Sequence, residues 1–236
     1  MTDVHSHVLY GIDDGSKSIE ESIELLKKLA SVGFNNVVAT PHYIEGSEYA
    51  CDNKEKLKRI NTLKKKIKEE KIDINLYLGN ETFINNHMPL NIKEGNVYTI
   101  NNSKYLLFEL PFHDQIISLR DIVFELKIDG YIPILAHPER YTYFWKDHHI
   151  LDELKEDGVL FQANFASILG HYGKHSKKLL KYLLKKQYID YLGTDIHHIK
   201  NTYTTDNFDK IKKKFIKIIG NEYWNKIIQN GNELIK

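Results

Sequence analysis

The sequence has one cysteine, five prolines and almost no net charge, and these shortages exclude several classes of protein. With only Cys51, the fold cannot depend on disulfide bonds, which favours a reducing cytoplasm. The 33 Lys and Arg residues balance 32 Asp and Glu residues, so the net charge of +1 gives no footprint for a nucleic acid. No run of about 18 apolar residues could span a membrane, and the first ten residues lack a signal-peptide pattern. We therefore expect a cytoplasmic protein without nucleic-acid partner or membrane insertion, whose oligomeric state is left open.

What the chain does contain is an alternation of short apolar runs with longer amphipathic ones. Its 236 residues are 42% hydrophobic, which is enough for one full core. Apolar runs that are nearly continuous are typical of parallel strands covered on both faces. We predict seven strands, near residues 2–8, 36–40, 74–79, 105–109, 132–136, 159–163 and 189–193. With helices between them, this pattern predicts a single α/β domain whose parallel sheet is either open or closed as a barrel.

Nearly every predicted strand ends in a side chain that can bind a metal ion. His5 and His7 share one face of the first strand, because side chains two apart in a strand point the same way. Asp195 and His197 repeat that spacing after the last strand. The strands between them end near His42, Glu81, Glu109 and His137. Because the C-terminal strand ends of an α/β barrel share one rim, these side chains are predicted to meet there.

A set of carboxylates and imidazoles at one rim is best explained by metal ions. Any single histidine beside a strand is more often a hydrogen-bonded structural residue. Several buried carboxylates, however, cost free energy unless cations compensate them. Mixed imidazole and carboxylate ligands suit Mn, Fe or Zn, and their number here implies two or three ions. Such clusters support phosphate-ester hydrolysis. Arg140, three residues after His137, could then hold phosphate oxygens, although a salt bridge to Glu139 or a neighbour would be its ordinary role without metals.

Together these motifs resemble the polymerase-and-histidinol-phosphatase (PHP) superfamily. The residues that carry the resemblance are His5-x-His7, Gly11-Ile12-Asp13-Asp14-Gly15, Thr40-Pro41-His42, Glu81, Glu109, His137-Pro138-Glu139-Arg140-Tyr141 and Asp195-x-His197. Within the superfamily they look most like the metal-dependent protein-tyrosine phosphatases of bacterial capsule and exopolysaccharide loci. The resemblance implies a distorted (β/α)7 TIM-like barrel, here a PHP-type phosphatase domain over residues 1–236. It also implies a substrate, the phosphotyrosine tail of a partner tyrosine autokinase.

The resemblance further implies three ions, most often manganese. One would be held by His5, His7, Glu81 and Asp195, a second by Glu81, Glu109 and His137, and a third by Asp14, His42 and His197. Glu81 would bridge two of them, and Arg140 matches an arginine that binds the phosphate. One position departs from the pattern, because Thr202 stands where relatives carry a second phosphate-binding arginine.

The expected mechanism is attack on phosphorus by a hydroxide that bridges metal ions, without a covalent intermediate. Two alternatives stay open: a phosphoesterase for a small ester such as histidinol phosphate or a nucleotide, and a non-catalytic, metal-stabilised binding module. Cysteine-based phosphatase chemistry is disfavoured, because it needs an arginine six residues after the cysteine, where this chain has Leu57.

Two further expectations concern the surroundings of the site. An aromatic cluster follows Arg140 and could pack against an aromatic phosphoester, although half of it or more is expected to be ordinary packing; its members are Tyr141, Tyr143, Phe144 and Trp145. Asn164, at the end of the sixth predicted strand, is placed to orient a ligand or a water molecule.

Overall fold

The computed structural model describes all 236 residues, in which strands and helices alternate. The strands are β1 (Thr2–Ser6), β2 (Asn36–Ala39), β3 (His42–Tyr43), β4 (Asn75–Leu78), β5 (Glu81–Phe83), β6 (Tyr105–Glu109), β7 (Ile132–Ala136), β8 (Leu160–Asn164) and β9 (Ile189–Gly193). The helices are α1 (Ile19–Ser31), α2 (Asn53–Glu69), α3 (Met88–Lys93), α4 (Leu119–Ile128), α5 (His149–Glu156), α6 (Gly173–Lys185), α7 (Tyr203–Asp206) and α8 (Phe208–Glu233), the last interrupted at Gly220. Short 3-10 turns cover Ile100–Asn102, Pro138–Arg140, Thr142–Trp145 and Phe165–Leu169.

Every strand pairing is parallel, which confirms the predicted α/β fold. One sheet has the order β1-β2-β4 and the other β3-β5-β6-β7-β8-β9. The chain runs from β2 into β3 across residues 40–41 and from β4 into β5 across residues 79–80, so two of the seven predicted strands are each followed by a short strand of the other sheet. The far edges meet through one parallel bridge between Ser6 and Ile196. The seven strand positions therefore form a distorted ring whose last junction is a bridge rather than a ladder.

A glycine and a buried carboxylate make this junction tight. Gly193 ends β9 so close to β1 that a Cβ atom there would overlap the side chain of His5. Oδ1 of Asp3 accepts a hydrogen bond from the Thr194 amide (2.8 Å), and Oδ2 accepts one from the Thr194 hydroxyl (2.5 Å). Burial raises the pKa of Asp3 to about 6 despite these hydrogen bonds. The start of the chain is thus fastened to the segment that carries Asp195.

The hydrophobic core is divided into two clusters. The larger contains 51 buried residues and includes the inner faces of the helices, such as Leu25, Leu26 and Leu29 of α1. The smaller contains nine residues from five strands, the 3-10 turn at Ile100 and the C-terminal Leu234 and Ile235. No helix combines the length and the apolar character that crossing a bilayer requires.

Helix α1 begins after a capping serine, Ser18. The Ser18 hydroxyl accepts a hydrogen bond from the Glu21 amide at 3.2 Å, which satisfies one of the free amides of the first turn. The Glu21 carboxylate accepts hydrogen bonds from the Lys17 amide at 2.9 Å and from the Ile199 amide at 3.1 Å. The helix start therefore also holds the loop that follows Asp195.

Candidate metal centre

Glu81 lies at the centre of the predicted ligands, at the C-terminal rim of the strands. Its Oε2 atom is 3.1 Å from Nε2 of His5, 3.2 Å from Nε2 of His7 and 3.3 Å from Nδ1 of His42. Its Oε1 atom is 2.8 Å from Nε2 of His137. Glu81 is 1% exposed, so this carboxylate depends on its protein neighbours, or on ions, for stabilisation. One carboxylate is thereby surrounded by four imidazoles.

The remaining predicted ligands extend this cluster in three directions. Oδ1 of Asp195 lies 3.6 Å from Nε2 of His5 and 3.5 Å from Nε2 of His7. Oε1 of Glu109 lies 3.0 Å from Nδ1 of His42. Farther out, Oδ1 of the exposed Asp14 lies 3.6 Å from Nε2 of His42 and 3.6 Å from Nε2 of His197. All nine predicted ligands therefore belong to one connected cluster.

The grouping of the ligands differs from the grouping that the resemblance implies: the first set lacks Asp195, the third gains His7, and the second exchanges one histidine. Three sets have donor atoms close enough to share an ion: His5, His7 and Glu81; His42, Glu81 and Glu109; and His7, Asp14, His42 and His197. In the second set His42 stands beside Glu109, where the resemblance places His137. His42 can face both ways, because its Nδ1 points to the carboxylates of Glu81 and Glu109 while its Nε2 points to Asp14.

The spacing of the ligand atoms suits coordination of divalent ions better than hydrogen bonding between the ligands. Ligands about 2.1 Å from one ion, at tetrahedral to octahedral angles, lie about 3.0–3.4 Å apart, which is the spacing around Oε2 of Glu81. Despite these neighbours, that oxygen and Nδ1 of His42 make no hydrogen bond of acceptable geometry, and Nδ1 of His137 has no partner. Buried polar atoms are nearly always satisfied, so three unpaired ones within one set of candidate ligands fit a site for cations.

Residues outside the ligand set fix the orientation of the imidazoles. Nδ1 of His7 lies 2.7 Å from Oδ2 of Asp13, and that oxygen also accepts the His42 amide at 2.9 Å. Nδ1 of His5 lies 2.8 Å from Oε1 of Gln162. Each of these acceptors needs a proton on Nδ1. Both histidines can therefore direct the lone pair of Nε2 at a metal ion in the cluster.

The backbone is strained at two predicted ligands. His137 has φ +33° and Asp195 has φ +53°, in the left-handed region that side chains other than glycine seldom adopt. The Asp195 amide donates to the His5 carbonyl at 2.9 Å, which holds this conformation. Strain of this kind costs of order 1–3 kcal/mol per residue and concentrates at functional sites.

The charges of the cluster respond strongly to one another. Burial alone would lower the pKa of His42, but the carboxylates of Glu81 and Glu109 raise it to about 9. Burial would raise the pKa of Glu81, but His5 and His42 hold it well below its usual range. Burial and the neighbouring His7 lower the pKa of His197 to about 4. Without ions, protons on some imidazoles supply the positive charge that the carboxylates require.

Arg140 borders the cluster and is held on three sides. Its Nη1 donates to Oδ2 of Asp195 at 2.7 Å. The rings of Phe112 and Tyr172 lie over its guanidinium, with centroids 4.7 and 4.5 Å away. The side chain remains 24% exposed, so part of its planar fork still faces the rim. Arg140 thus has a salt bridge to a neighbour, Asp195 and not Glu139, and it borders the cluster as well.

Two of the four members of the aromatic cluster are ordinary packing, as expected for half of it or more. Tyr141 and Phe144 are fully buried in the large core cluster and cannot meet a substrate. The Tyr141 hydroxyl donates to the Ala136 carbonyl at 3.0 Å and accepts from the Leu110 amide at 2.9 Å, so it ties the end of β7 to the end of β6. Both rings therefore serve packing in the core.

Asn164 has the orienting contact that its position predicts. Its Nδ2 donates to Oδ2 of Asp195 at 2.8 Å, and its Oδ1 accepts from Gln162 at 3.0 Å. Sequence reasoning did not identify the contributions of Gln162, Phe112 or Tyr172. Gln162 lies inside an apolar strand, where its side chain is fully buried, and a lone polar residue in such a run was the available signal.

Comparison with known proteins places the whole chain in one group. Residues 1–236 match the family model described as capsular polysaccharide synthesis, CpsB/CapC. The chain is 36% identical to the CapC protein of Staphylococcus aureus over 201 residues, which is 85% of this chain and 78% of that protein. It is 27% identical to tyrosine-protein phosphatase YwqE of Bacillus subtilis over 238 residues, covering 100% and 92% of the two chains.

Solved structures give the same result. A chain from the structures of YwqE of Bacillus subtilis and CpsB of Streptococcus pneumoniae, described as metal-dependent tyrosine phosphatases, superposes with a TM-score of 0.90 at 26% identity. That match covers 100% of this chain and 94% of the other. The histidinol phosphate phosphatase of Lactococcus lactis, solved with zinc, L-histidinol and phosphate, shares the fold at a TM-score of 0.57 and 15% identity, with 91% and 93% coverage. The predicted resemblance is confirmed.

Proposed function

Because this chain belongs to the CpsB/CapC family of capsular polysaccharide synthesis proteins, we propose that it is a metal-dependent protein-tyrosine phosphatase. Its substrate is phosphotyrosine on the tail of a partner tyrosine autokinase, and residues 1–236 act as one phosphatase domain. The observation that carries the proposal is the Glu81 carboxylate, whose Oε2 atom is buried, unpaired and within 3.3 Å of three imidazole nitrogens, in a cluster bordered by Arg140.

The proposed cofactor is a cluster of two or three divalent ions, with manganese as the first choice. Its ligands are His5, His7, Asp14, His42, Glu81, Glu109, His137, Asp195 and His197. Imidazole with carboxylate is a donor set that suits Mn, Fe and Zn. When bound, such ions supply Lewis acidity, which neutralises charge on a phosphoryl group and makes water a stronger nucleophile. Glu81 is the proposed shared ligand, because its two oxygens face different imidazoles.

Arg140 is the proposed phosphate-binding residue. One of its five N–H groups is used by Asp195, which leaves others for phosphate oxygens. The flanking rings of Phe112 and Tyr172 restrict the guanidinium before a substrate arrives, so less conformational entropy is lost when phosphate binds. Asp195 keeps this cation beside the ligand cluster. Phosphate held by Arg140 would therefore lie against the ions.

Because Thr202 stands where relatives carry a second phosphate-binding arginine, the proposed site has a single arginine. Its hydroxyl donates to Oδ2 of Asp206 at 2.8 Å, and the residue is only 7% exposed, so it cannot replace a guanidinium. The charge on the transferred phosphoryl group is then balanced by the ions and Arg140 alone. We expect slower turnover than in an enzyme with two arginines, and the same dependence on metal.

The test is phosphate release from a phosphotyrosine peptide, measured with added Mn²⁺ and with a chelator, beside histidinol phosphate under the same conditions. Metal-dependent release with a clear preference for the peptide is the expected result. Release from histidinol phosphate alone would keep the metal chemistry and reject the tyrosine phosphatase. No release from either ester, with Mn²⁺ bound, would reject catalysis and favour a binding module.

A further inference from the structure

Lys56 of α2 is a fully buried cation without a carboxylate partner. Its Nζ donates to Oδ1 of Asn53 at 2.9 Å, to Oδ1 of Asn80 at 3.0 Å and to the Asn96 carbonyl at 3.4 Å. Burial lowers its pKa to about 8. A buried ammonium is unfavourable unless its donors are used, and here three N–H groups meet three oxygens. The ammonium thus fixes the positions of the three neutral groups whose oxygens accept its hydrogen bonds.

The most constrained of these groups is the side-chain amide of Asn80. Its Oδ1 accepts from Lys56 and also from the Tyr98 amide at 2.9 Å, while its Nδ2 donates to the Pro41 carbonyl at 2.8 Å. Turning the amide over would direct its NH2 group at the ammonium and its oxygen at a carbonyl. Lys56 and the Tyr98 amide together therefore permit only the orientation in which Asn80 donates to Pro41.

This contact lies where two predicted metal ligands leave the sheet. Asn80 precedes Glu81 and Pro41 precedes His42, and His42 pairs with Glu81 in the register of β3 and β5. The Glu81 amide also donates to the Pro41 carbonyl, at 3.2 Å. The Pro41 carbonyl thus accepts two hydrogen bonds, one from the Asn80 side chain and one from the Glu81 amide. Any sliding between these segments would change the 3.3 Å separation of Nδ1 of His42 from Oε2 of Glu81.

We infer that Lys56 is a positioning residue for the metal centre: acting through Asn80, it holds β3 and β5 together so that His42 and Glu81 can share an ion. The inference rests on the proposed function, because it gives Lys56 a role only if metal binds at this cluster. A purely structural lysine would affect stability alone. A positioning lysine also affects the affinity of the folded protein for metal.

The experiment is a double-mutant cycle of Lys56→Met and Asn80→Ala, read by titrating Mn²⁺ alone into the metal-stripped full chain in a calorimeter. Residues that orient ligands typically change metal affinity about 10- to 100-fold. We expect a loss of that size in each single variant and no further loss in the double variant, since both remove the same link. The absorption spectrum of bound Co²⁺ should change in the same three proteins, which reports geometry independently of activity.

Lys155→Met is the matched control. Lys155 is also mostly buried, and its Nζ pairs with Asp190 at 2.7 Å, near the beginning of β9 and away from the rim. This variant should lower the Tm and leave Mn²⁺ affinity within about two-fold of wild type.

Wild-type Mn²⁺ affinity in folded Lys56→Met would overturn the inference and leave the proposed function intact. If Lys56→Met does not fold, Asn80→Ala decides alone, and unchanged affinity there has the same meaning. Failure of the wild-type protein itself to bind Mn²⁺ would instead contradict the proposed function, and the inference with it.

Discussion

Nη1 of Arg140 donates a 2.7 Å hydrogen bond to Oδ2 of Asp195, so the proposed phosphate-binding cation is paired with a proposed metal ligand. The other oxygen of Asp195 faces His5 and His7. Asn164 supports the carboxylate from behind, through a 2.8 Å hydrogen bond to Oδ2. A single carboxylate thus sets the position of the guanidinium relative to the cluster.

Arg140→Lys should lower kcat/KM for a phosphotyrosine peptide by about 100-fold, the usual effect of losing one donor to a developing oxyanion. Lysine keeps the charge and loses both the planar fork and the stacking between Phe112 and Tyr172. Steady-state kinetics at saturating Mn²⁺ measure the change. Arg120→Lys is the control, because Arg120 pairs with Asp157 and Glu153 at the surface, and its kinetics should match wild type.

Phe112→Leu should raise KM for the peptide about two- to five-fold and change kcat less. The Phe112 ring lies 4.7 Å from the Arg140 guanidinium, and a cation–π contact is worth about 0.5–1 kcal/mol at exposed sites. Tyr143→Leu removes a half-buried ring from the adjacent turn that does not stack on Arg140, and should leave KM unchanged. Equal effects of the two substitutions would contradict a role for Phe112 in restricting Arg140.

The metal-free protein should lose stability as the pH rises from about 6.5 to about 9. Burial would lower the pKa of His42, but Glu81 and Glu109 raise it to about 9, above the value of about 6.5 expected in the unfolded chain. A raised pKa stabilises the folded state fully below the unfolded value, and this contribution disappears as pH passes through the folded value. Thermal unfolding in chelator should show the Tm falling over this range.

His42→Gln should reduce that dependence without abolishing it, because carboxylates also raise the pKa of the buried His5 and His7, whereas His149→Gln, at an exposed residue of α5, should not change it. Mn²⁺ affinity should change in the opposite direction and rise over the same pH range, because an imidazole must lose its proton to bind metal. A Tm that rises with pH in the metal-free protein would contradict the assigned charges of the cluster.

Cys51→Ala should retain wild-type kcat and KM. Cys51 lies in the loop before α2, its partial burial raises the pKa of the thiol, and no arginine follows at the spacing that cysteine-based phosphatases use. A large loss of phosphate release in this variant, with metal affinity unchanged, would replace the metal mechanism by a thiolate one.

The ends of the strands carried most of what the sequence could predict. β6 and β7 lie at Tyr105–Glu109 and Ile132–Ala136, the ranges their apolar runs predict, because a buried parallel strand needs apolar residues on both faces. The predicted ligands then follow from topology, since parallel strands end at one rim. The short strands β3 and β5 were not predicted. The segments Thr40–Pro41 and Gly79–Asn80 look like ordinary strand ends, and the short strands after them exist only through pairing with distant partners.

The supporting residues were harder to predict than the ligands. Lys56 appears as one more lysine in a lysine-rich helix, although it shares the buried face of Ile60, Leu63 and Ile67, which exposed Lys58 does not. What the helix pattern does not supply is its acceptors Asn80 and Asn96, which are distant in the sequence. Tyr141 and Phe144 show the reverse case, because aromatic residues beside a site motif are attractive substrate contacts until the core is seen to enclose them.

The central claim is that Glu81 joins a divalent metal cluster on which phosphotyrosine hydrolysis depends. The most direct test is phosphate release from a phosphotyrosine peptide by metal-stripped wild type and metal-stripped Glu81→Gln, each titrated with Mn²⁺. We predict no release from either protein before Mn²⁺ is added, recovery in the wild type, and at least about 100-fold less activity in Glu81→Gln at every Mn²⁺ concentration. Undiminished release from the stripped wild type, or full recovery of Glu81→Gln, would contradict the account.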